Sequence, residues 1–486
     1  MPGIVVNTSV RTGPATTNTS PVASWFVVGL TQRGPAATAR LVTSIADYET
    51  VFGEYASYGA VYQQVQTFFE EGGAEVYVSR VVGASATAGT LAVPNTTAGT
   101  ALTLTATGPG EWSQNLEVTL TALGSGKTLK AYLGGDLVYN SGEVANAQAL
   151  VNKIAGSSVA AKYFTASIGS GTFADISSAT AFSAGDDDRA AIVDQDWLDA
   201  LDAFGSELGA GAVSMPGLAT SGNIDNIHQA LLNHGYTNHR VAILSTPSDY
   251  TPTQAGNHAE TVGALDNAEY GGLFYPWVDM SLDDGTALTI SPEGYVAAKR
   301  SVAYNRVGPW SAYAGLVTQS NFITGLSESI SKTTGDALDE QRCNALRIIN
   351  GAVRVYGFRS LSSDEDNYRF LNAREMLNFV VVQAEEVLED LVFSPIDGRN
   401  ALFTQVKGRL TGLLEPIRIA GGLYEAFDAT GKRIDYGYSV VVSDAINPVS
   451  QLAGGLVRAR VGIRVSSIGD QIQVDVTKSN LTASVV

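Results

Sequence analysis

The first apolar–polar pattern in the chain is a strand-like alternation with no nearby partner. Between residues 4 and 11 the side chains alternate in a way that favours an extended strand, and Pro14 ends the pattern without a hairpin turn leading back. The positions that carry this opening strand are Ile4, Val5, Val6, Thr8 and Val10. A strand exposes unpaired backbone groups unless something covers them, so the pattern raises the question of its partner.

Beyond residue 22 the pattern changes to buried strands that alternate with amphipathic helices. Residues 24–83 predict strand, helix, helix and strand, with Ser44 as the N-cap of the first helix. From Ala190 the alternation resumes, with helices between apolar runs that predict strands. Near-continuous apolar strands alternating with helices predict a largely parallel α/β sheet. The runs are GAVSMPG, HRVAILSTP and GGLFYPWVDM, and Gly235 is predicted to end the helix before the second of them.

A change in composition near Ala84 marks a separate module within the α/β pattern. The following hundred or so residues are rich in Thr, Ala, Gly and Ser and consist of short alternating runs, which indicates a mostly-β module. We therefore predict a multidomain α/β and α+β protein. Its predicted parts are an N-terminal arm at 1–22, a parallel-sheet middle domain at 23–89 and 186–339, an inserted β module at 90–185, and a C-terminal α+β domain at 340–486.

The C-terminal region predicts two long helices followed by two strands. The second helix is predicted to end at Pro416. The first strand alternates apolar residues with arginines in LVRARVGIRV, and the last strand places Ile472, Val474 and Val476 on one face. One interpretation is an ordinary terminal hairpin. The other is that strands from both ends of the chain pair with other copies by β-augmentation.

The composition argues against several classes of function. The charge of −18, from 48 acidic and 30 basic residues, disfavours binding to nucleic acid or to anionic membranes. Cys343 is the single cysteine, so neither an intrachain disulfide nor a paired-cysteine zinc site is expected. We predict no signal peptide, no membrane-spanning or membrane-inserting segment, and folding in a cytoplasm.

No motif in the sequence predicts catalysis, a metal or a cofactor. Gly126-Lys127-Thr128 resembles part of a phosphate loop, but Thr121 stands where that loop needs glycine, so a β-turn is the favoured interpretation. The four histidines lack metal-ligand spacing. Ser214 lacks the Gly-x-Ser-x-Gly context of a hydrolase nucleophile, which leaves an α/β serine hydrolase as the less favoured alternative.

Three stretches resemble the contractile tail sheath proteins. The stretch QRCNALRIINGAVRVYGFRSLSSDEDNYRFLNARE is similar to the family's Asn, short strand and Gly-x-Arg-Ser/Thr-Leu turn before a long helix. SPEGYVAAKRSVAYNRVGPWSAYAG and the opening MPGIVVNTSV are similar to two further segments, whereas Ser113 and Gln114 depart from a Gly-rich motif. The matching residues are Asn344, Ile348, Ile349, residues 353–356, Gly357, Phe358, Arg359, Ser360, Leu361, Pro292, Gly294, Trp310, Ala314 and Gly315.

The resemblance implies a structural protein rather than an enzyme. Sheath subunits stack as hexameric rings around an inner tube, form a helical cylinder and contract to drive the tube through a cell envelope. The implied partners are other copies of the chain, the tube protein, and baseplate and tail terminator proteins, in a virion tail assembled in the host cytoplasm. The resemblance equally fits the sheath of a bacterial contractile injection system or tailocin.

Charged residues on the two long helices are our candidates for tube contact. Exposed ion pairs are individually weak, which suits an interface that must release during contraction. The candidates are Glu385, Glu386, Glu389, Asp390, Lys407 and Arg409.

Overall fold

The structure is a computed structural model that describes residues 23–218, 224–282 and 285–470. The described residues form two compact units. The sheet unit extends to Pro309 and also includes Tyr313–Ser363. The helical unit comprises Trp310–Ala312 and the residues from Asp364 onward.

The strands belong mainly to the sheet unit. In chain order they are β1 Trp25–Gly29, β2 Arg40–Val42, β3 Val76–Arg80, β4 Thr90–Pro94, β5 Thr100–Ala106, β6 Leu116–Leu123, β7 Gly126–Leu133, β8 Asp136–Val144, β9 Phe164–Ile168, β10 Ile176–Ala181, β11 Gly211–Ser214, β12 Arg240–Ser245, β13 Gly271–Tyr275, β14 Val278–Ser281, β15 Ala287–Ile290, β16 Gly325–Leu326, β17 Cys343–Ile349, β18 Ala352–Val355, β19 Ala426–Phe427, β20 Arg433–Asp435, β21 Tyr438–Val441 and β22 Arg460–Ile463.

The α-helices are distributed over both units, and the longest two lie in the helical unit. In chain order they are α1 Ile45–Phe52, α2 Val61–Glu70, α3 Ala147–Ala155, α4 Asp194–Asp202, α5 Ile224–Asn238, α6 Pro252–Gly263, α7 Glu293–Arg306, α8 Lys332–Glu340, α9 Glu365–Tyr368, α10 Leu371–Leu388, α11 Ala401–Ile419 and α12 Val449–Leu452.

A mostly parallel sheet organises the sheet unit, in the order β18-β17-β13-β12-β11-β1-β3-β2. The inner pairs are parallel, and only the outer pairs β17–β18 and β2–β3 are antiparallel. Every residue of β1, β11, β12 and β13 is buried, as expected for strands covered on both faces by helices. The predicted parallel sheet is therefore confirmed.

The helix signals read from the sequence act locally as expected. The Asp47 N–H donates to Ser44 Oγ at 3.1 Å, so Ser44 is the N-cap of α1. In α2 the apolar residues Val61, Val65 and Phe68 are buried within the sheet unit. Helix α2 therefore buries the face that its periodicity predicts.

The inserted region forms two small antiparallel sheets around its own core. Strands β10-β6-β7-β8 form one sheet and β4-β5-β9 the other, and α3 contributes Leu150 and Ile154 to the shared core. The Gly-Lys-Thr stretch lies at the β6–β7 hairpin, as predicted. There the N–H groups of Ser125 and Gly126 donate to the Glu143 carboxylate at 2.9 and 3.0 Å. The turn is thus closed by a carboxylate of the chain itself.

The two long helices of the helical unit pack antiparallel to each other and against a two-stranded sheet. Met376 and Val380 of α10 contact Leu414 and Ile417 near the end of α11, and the end of α10 contacts the start of α11. The residues of β21 and β22 that cover these helices are Tyr438, Val440, Val461 and Ile463.

Two predicted helix ends are wrong. Helix α5 continues past Gly235 to Asn238, because this glycine lets the helix approach β12: a Cβ there would lie 2.7 Å from the Arg240 carbonyl oxygen. Helix α11 continues past Pro416 to Ile419, since the Ala420 N–H still donates to the Pro416 carbonyl at 3.0 Å and closes the last turn.

Two other expectations also differ from the structure. GGLFYPWVDM forms two strands in different sheets, because Pro276 has no N–H to continue the ladder of β13. The start of the C-terminal region was predicted at 340, whereas the two compact units divide after Ser363. The reason is that β17 pairs parallel with β13 and so belongs to the main sheet.

Candidate assembly surface

The motif around Asn344 is a clamp between a strand and the following turn. The Asn344 side chain donates to the Arg359 carbonyl at 2.9 Å and accepts from the Arg359 N–H at 2.6 Å. A Cβ on Gly357 would lie 2.7 Å from the Asn344 Cα, so only glycine allows this approach. Three of the residues that carry the family resemblance, Asn344, Gly357 and Arg359, thus lie together and hold the segment after β18 against β17.

The helical unit presents a sheet with open edges. Strand β22 pairs antiparallel with β21, and within the described residues neither strand pairs with a third along its outer edge. The predicted strand LVRARVGIRV therefore has a partner in its own chain, and that partner is β21. Because a two-stranded sheet exposes backbone donors and acceptors on both sides, it can accept a further strand.

Large apolar side chains on the surface of the helical unit are unusually exposed. Phe393, in the connection between α10 and α11, is fully exposed, and Val449 is 81% exposed. Others are Ile419, Tyr424, Phe427, Ile434, Tyr436 and Val392. Single exposed apolar residues are ordinary, but a concentration of them indicates a contact surface.

The six candidate tube-contact residues lie where the sequence placed them, at the end of α10 and on α11, and all are exposed. Asp390 and Arg409 form an ion pair at 2.7 Å, and Arg409 also donates to the Val387 carbonyl. Glu385, Glu386, Glu389 and Lys407 are the remaining members. Since two members of the set pair with each other, the net charge offered to a partner comes mainly from the glutamates.

A network of ion pairs and hydrogen bonds between side chains attaches the β19–β21 segment to α11. Arg418 binds Glu415 at 2.5 Å and Glu425 at 2.6 Å, and the Tyr438 hydroxyl donates to Glu415 at 2.8 Å. The hydrogen bonds from Arg418 and then Tyr438 lower the pKa of Glu415 to about 2. Sequence reasoning missed this network because its members are separated along the chain and match no motif.

The predicted arm strands belong to the two ends of the sequence. Ile4, Val5, Val6, Thr8 and Val10, and at the other end Ile472, Val474 and Val476, lie outside the described residues. Their pairing therefore remains a prediction.

Ser214, the candidate hydrolase residue, has a structural contact. Its buried hydroxyl oxygen accepts a hydrogen bond from the Trp25 indole N–H at 2.8 Å, within the paired strands β11 and β1.

The buried histidines lie in two different places. The His228 and His258 rings lie 5.2 Å apart, whereas His234 contacts Arg240. Burial lowers the pKa of both His228 and His234 to about 3. These side chains are packing elements of the α/β core.

Within residues 23–218, 224–282 and 285–470, no three His, Cys, Asp or Glu side chains converge as a metal site. In the same ranges, no helix is both long and apolar enough to cross a membrane.

Comparisons with known proteins relate the chain to sheath structures. No family model matches the sequence, and no curated protein matches it. A sheath tail protein from Listeria innocua superposes with a TM-score of 0.62 at 14% identity, covering 87% of this chain and 89% of that chain. The anti-feeding prophage helical sheath in its contracted state gives 0.57 at 14% identity, over 98% and 99% of the two chains. The sheath complex of PVC, an extracellular contractile injection system, also in its contracted state, gives 0.55 at 14% identity, over 99% and 98%.

The chain therefore has the fold of contractile sheath proteins. The family resemblance indicated by the sequence motifs is confirmed at the level of the fold.

Proposed function

We propose that this chain is the subunit of a contractile tail sheath, with a structural rather than an enzymatic role. The observation that carries the proposal is the extent of the match to the contracted helical sheath, 98% of this chain and 99% of the other. A likeness over nearly the whole length supports the proposal because it extends beyond the central α/β fold. The proposed assembly is a helical cylinder of stacked hexameric rings around an inner tube.

The subunits are joined by strand exchange between copies. The open edges of β21 and β22 offer backbone donors and acceptors. The added strands are the two predicted terminal strands, which contain Ile4 and Ile472. The exposed apolar residues of the helical unit, among them Phe393 and Val449, become buried between copies. Main-chain pairing would keep subunits connected while their bodies rotate.

Contraction requires no nucleotide under this proposal. An extended cylinder that is kinetically trapped releases free energy when it shortens to a form that buries more surface. Contact with the tube is accordingly weak and electrostatic, through Glu385, Glu386, Glu389, Asp390, Lys407 and Arg409. The baseplate and tail terminator proteins bind the two ends of the cylinder, in a tail assembled in the host cytoplasm.

A second setting, the sheath of a contractile injection system or tailocin, is supported by the match to the PVC sheath complex. The two settings differ in whether the native particle carries a DNA-filled head. Particles purified from the natural source, examined by electron microscopy and for nuclease-protected DNA, distinguish them.

The arms are tested by truncation of the purified chain. Removing residues 1–20, or everything from Gln471 on, is expected to leave a folded subunit that cannot lengthen into cylinders. Ile472→Asp with Val474→Asp is expected to have the same effect, and Gln473→Asp, on the opposite strand face, is the matched control. Normal cylinders from the truncated chains would overturn strand exchange.

A further inference from the structure

The outer face of the β21–β22 sheet carries a row of arginines. Val461 and Ile463 of β22 pack inward against α10 and α11. Because the side chains of a strand alternate between its two faces, Arg458, Arg460 and Arg464 belong to the outer face, and all three are exposed. Like charges at alternate positions of one strand repel one another, so acidic groups beside them would be stabilising.

One of these arginines has an acidic partner and two do not. Arg464 binds Asp435 at 2.8 Å. Within the described residues, the side chains of Arg458 and Arg460 form neither an ion pair nor a hydrogen bond. Two neighbouring guanidinium groups therefore offer their charge to an acidic group from outside the described part of the chain.

The edge of β22 beside these arginines has free backbone groups. The Arg464 N–H donates to the Gly437 carbonyl at 2.7 Å, so residues 460, 462 and 464 turn their backbone groups toward β21. The N–H and C=O groups of Val461 and Ile463 consequently point away from β21, and no described residue pairs with them. A strand added here would bond to these groups and bring its outer side chains next to the arginines.

Charge distinguishes between the two predicted terminal strands as occupants of this edge. The C-terminal strand has apolar residues such as Val474 on one face and Asp475 on the other. The N-terminal strand carries Arg11 on the face opposite Ile4, and residues 1–22 contain no Asp or Glu. If the apolar face of the added strand continues the inner face of the sheet, the C-terminal strand supplies the missing acidic group, whereas the N-terminal strand adds a further arginine.

The path of the chain after β22 favours a strand from another copy. The Asn372 side chain donates to the Ser466 carbonyl at 2.9 Å, and Arg369 binds Asp470 at 3.2 Å. These contacts hold the last described residues beside the start of α10 instead of turning them back along β22.

We propose that the C-terminal strand of a second copy adds to the free edge of β22 and places its Asp475 beside Arg460. The inference rests on the strand exchange proposed above and assigns its partners, because it gives β22 to the C-terminal arm and leaves the edge of β21 to the N-terminal arm. Side chains directly opposite each other on neighbouring strands have Cβ atoms about 4.5–5.5 Å apart, which is within reach of an ion pair.

Paired cysteines test the position of the strand. Arg460→Cys with Asp475→Cys is expected to form disulfides between copies when the purified, assembled chain is oxidised with diamide, seen as a ladder in non-reducing electrophoresis. Ser439→Cys with Asp475→Cys probes the outer face of β21 and is expected to give no more cross-linking than the single-cysteine variants. The natural Cys343 is buried, which keeps the background low.

Charge exchange tests the ion pair itself. Asp475→Asn is expected to weaken self-association roughly two- to fivefold in sedimentation velocity, the range for one exposed ion pair. Arg460→Asp is expected to weaken it further, and adding Asp475→Arg to that variant is expected to restore it. Arg40→Asp, which reverses an exposed arginine of the sheet unit, is the matched control and is expected to change little.

The outcomes separate this inference from the sheath function. A 460–475 disulfide confined to monomers would show that the strand folds back on its own chain, and cross-linking through Ser439→Cys would place it on β21; either result would overturn the assignment. Cylinders that form without any 460–475 cross-link between copies would also overturn it, while leaving the sheath function intact. A natural chain that never self-associates would overturn both.

The exchange experiment gives an independent decision. If the Arg460→Asp and Asp475→Arg combination assembles no better than Arg460→Asp alone, the two side chains do not pair.

Discussion

Replacing Glu71 by glutamine is expected to destabilise the sheet unit strongly. The Glu71 carboxylate lies just past the end of α2, is 1% exposed, and binds Lys299 Nζ of α7 at 2.6 Å. It also accepts backbone N–H bonds from residues 321–323 at distances from 2.7 to 3.0 Å. One buried side chain therefore joins two helices and a distant loop.

The expected loss follows from the groups left behind. The glutamine side chain of the Glu71→Gln variant would retain one acceptor oxygen but turn an NH₂ group toward N–H donors. Lys299, whose side chain is 5% exposed, would keep its charge without a counterion. Removing one partner of a buried ion pair costs about 3–5 kcal/mol in the free energy of unfolding. Glu70→Gln, at the neighbouring exposed position, is expected to change it by less than about 0.5 kcal/mol.

The assay is urea denaturation followed by far-UV circular dichroism, which reports both the midpoint and the slope. Lys299→Met and the double variant complete a double-mutant cycle, and the double variant is expected to lose less than the sum of the two single losses. A decrease of less than about 1 kcal/mol in the free energy of unfolding of Glu71→Gln would show that the contacts of this carboxylate contribute little to stability.

Three further expectations concern other parts of the molecule. Gly235→Ala should lower the free energy of unfolding by about 1–3 kcal/mol, because its Cβ meets the Arg240 carbonyl; an unchanged urea midpoint would contradict this close approach. Glu415 has a lowered pKa, so its contribution to stability is complete above its ordinary pKa of 4.5 and is lost as the pH falls toward about 2. Melting temperatures between pH 5 and pH 2.5 should fall more steeply for the natural chain than for Glu415→Gln, and parallel curves would argue against the role of Arg418. A fluorophosphonate probe should leave Ser214 unlabelled, since Trp25 holds its hydroxyl; labelling would instead favour the hydrolase alternative.

The parallel sheet could be predicted because strands that are buried on both faces have near-continuous apolar sequences, as in HRVAILSTP. The Ser44 N-cap could also be predicted, because its side chain accepts a hydrogen bond from a residue only three positions away. Local signals failed where a tertiary contact decides the outcome. A glycine near the end of a helix pattern usually predicts the helix end. Gly235 instead lies inside α5, where the absence of a Cβ lets the helix pack closely against β12.

The partner of β22 could not be read from the sequence either. Strand β21 is short and half exposed, so its alternation gives a weak signal, and the ladder joins residues about 20 positions apart. Of the candidate site, the exposure of the charges at the end of α10 and on α11 could be expected from the sequence, because charged side chains are rarely buried.

Negative-stain electron microscopy of the purified full-length chain tests sheath assembly most directly. We expect long hollow cylinders with a regular axial repeat, formed without added nucleotide. A protein that remains strictly monomeric across salt, pH and concentration would contradict the proposed sheath function.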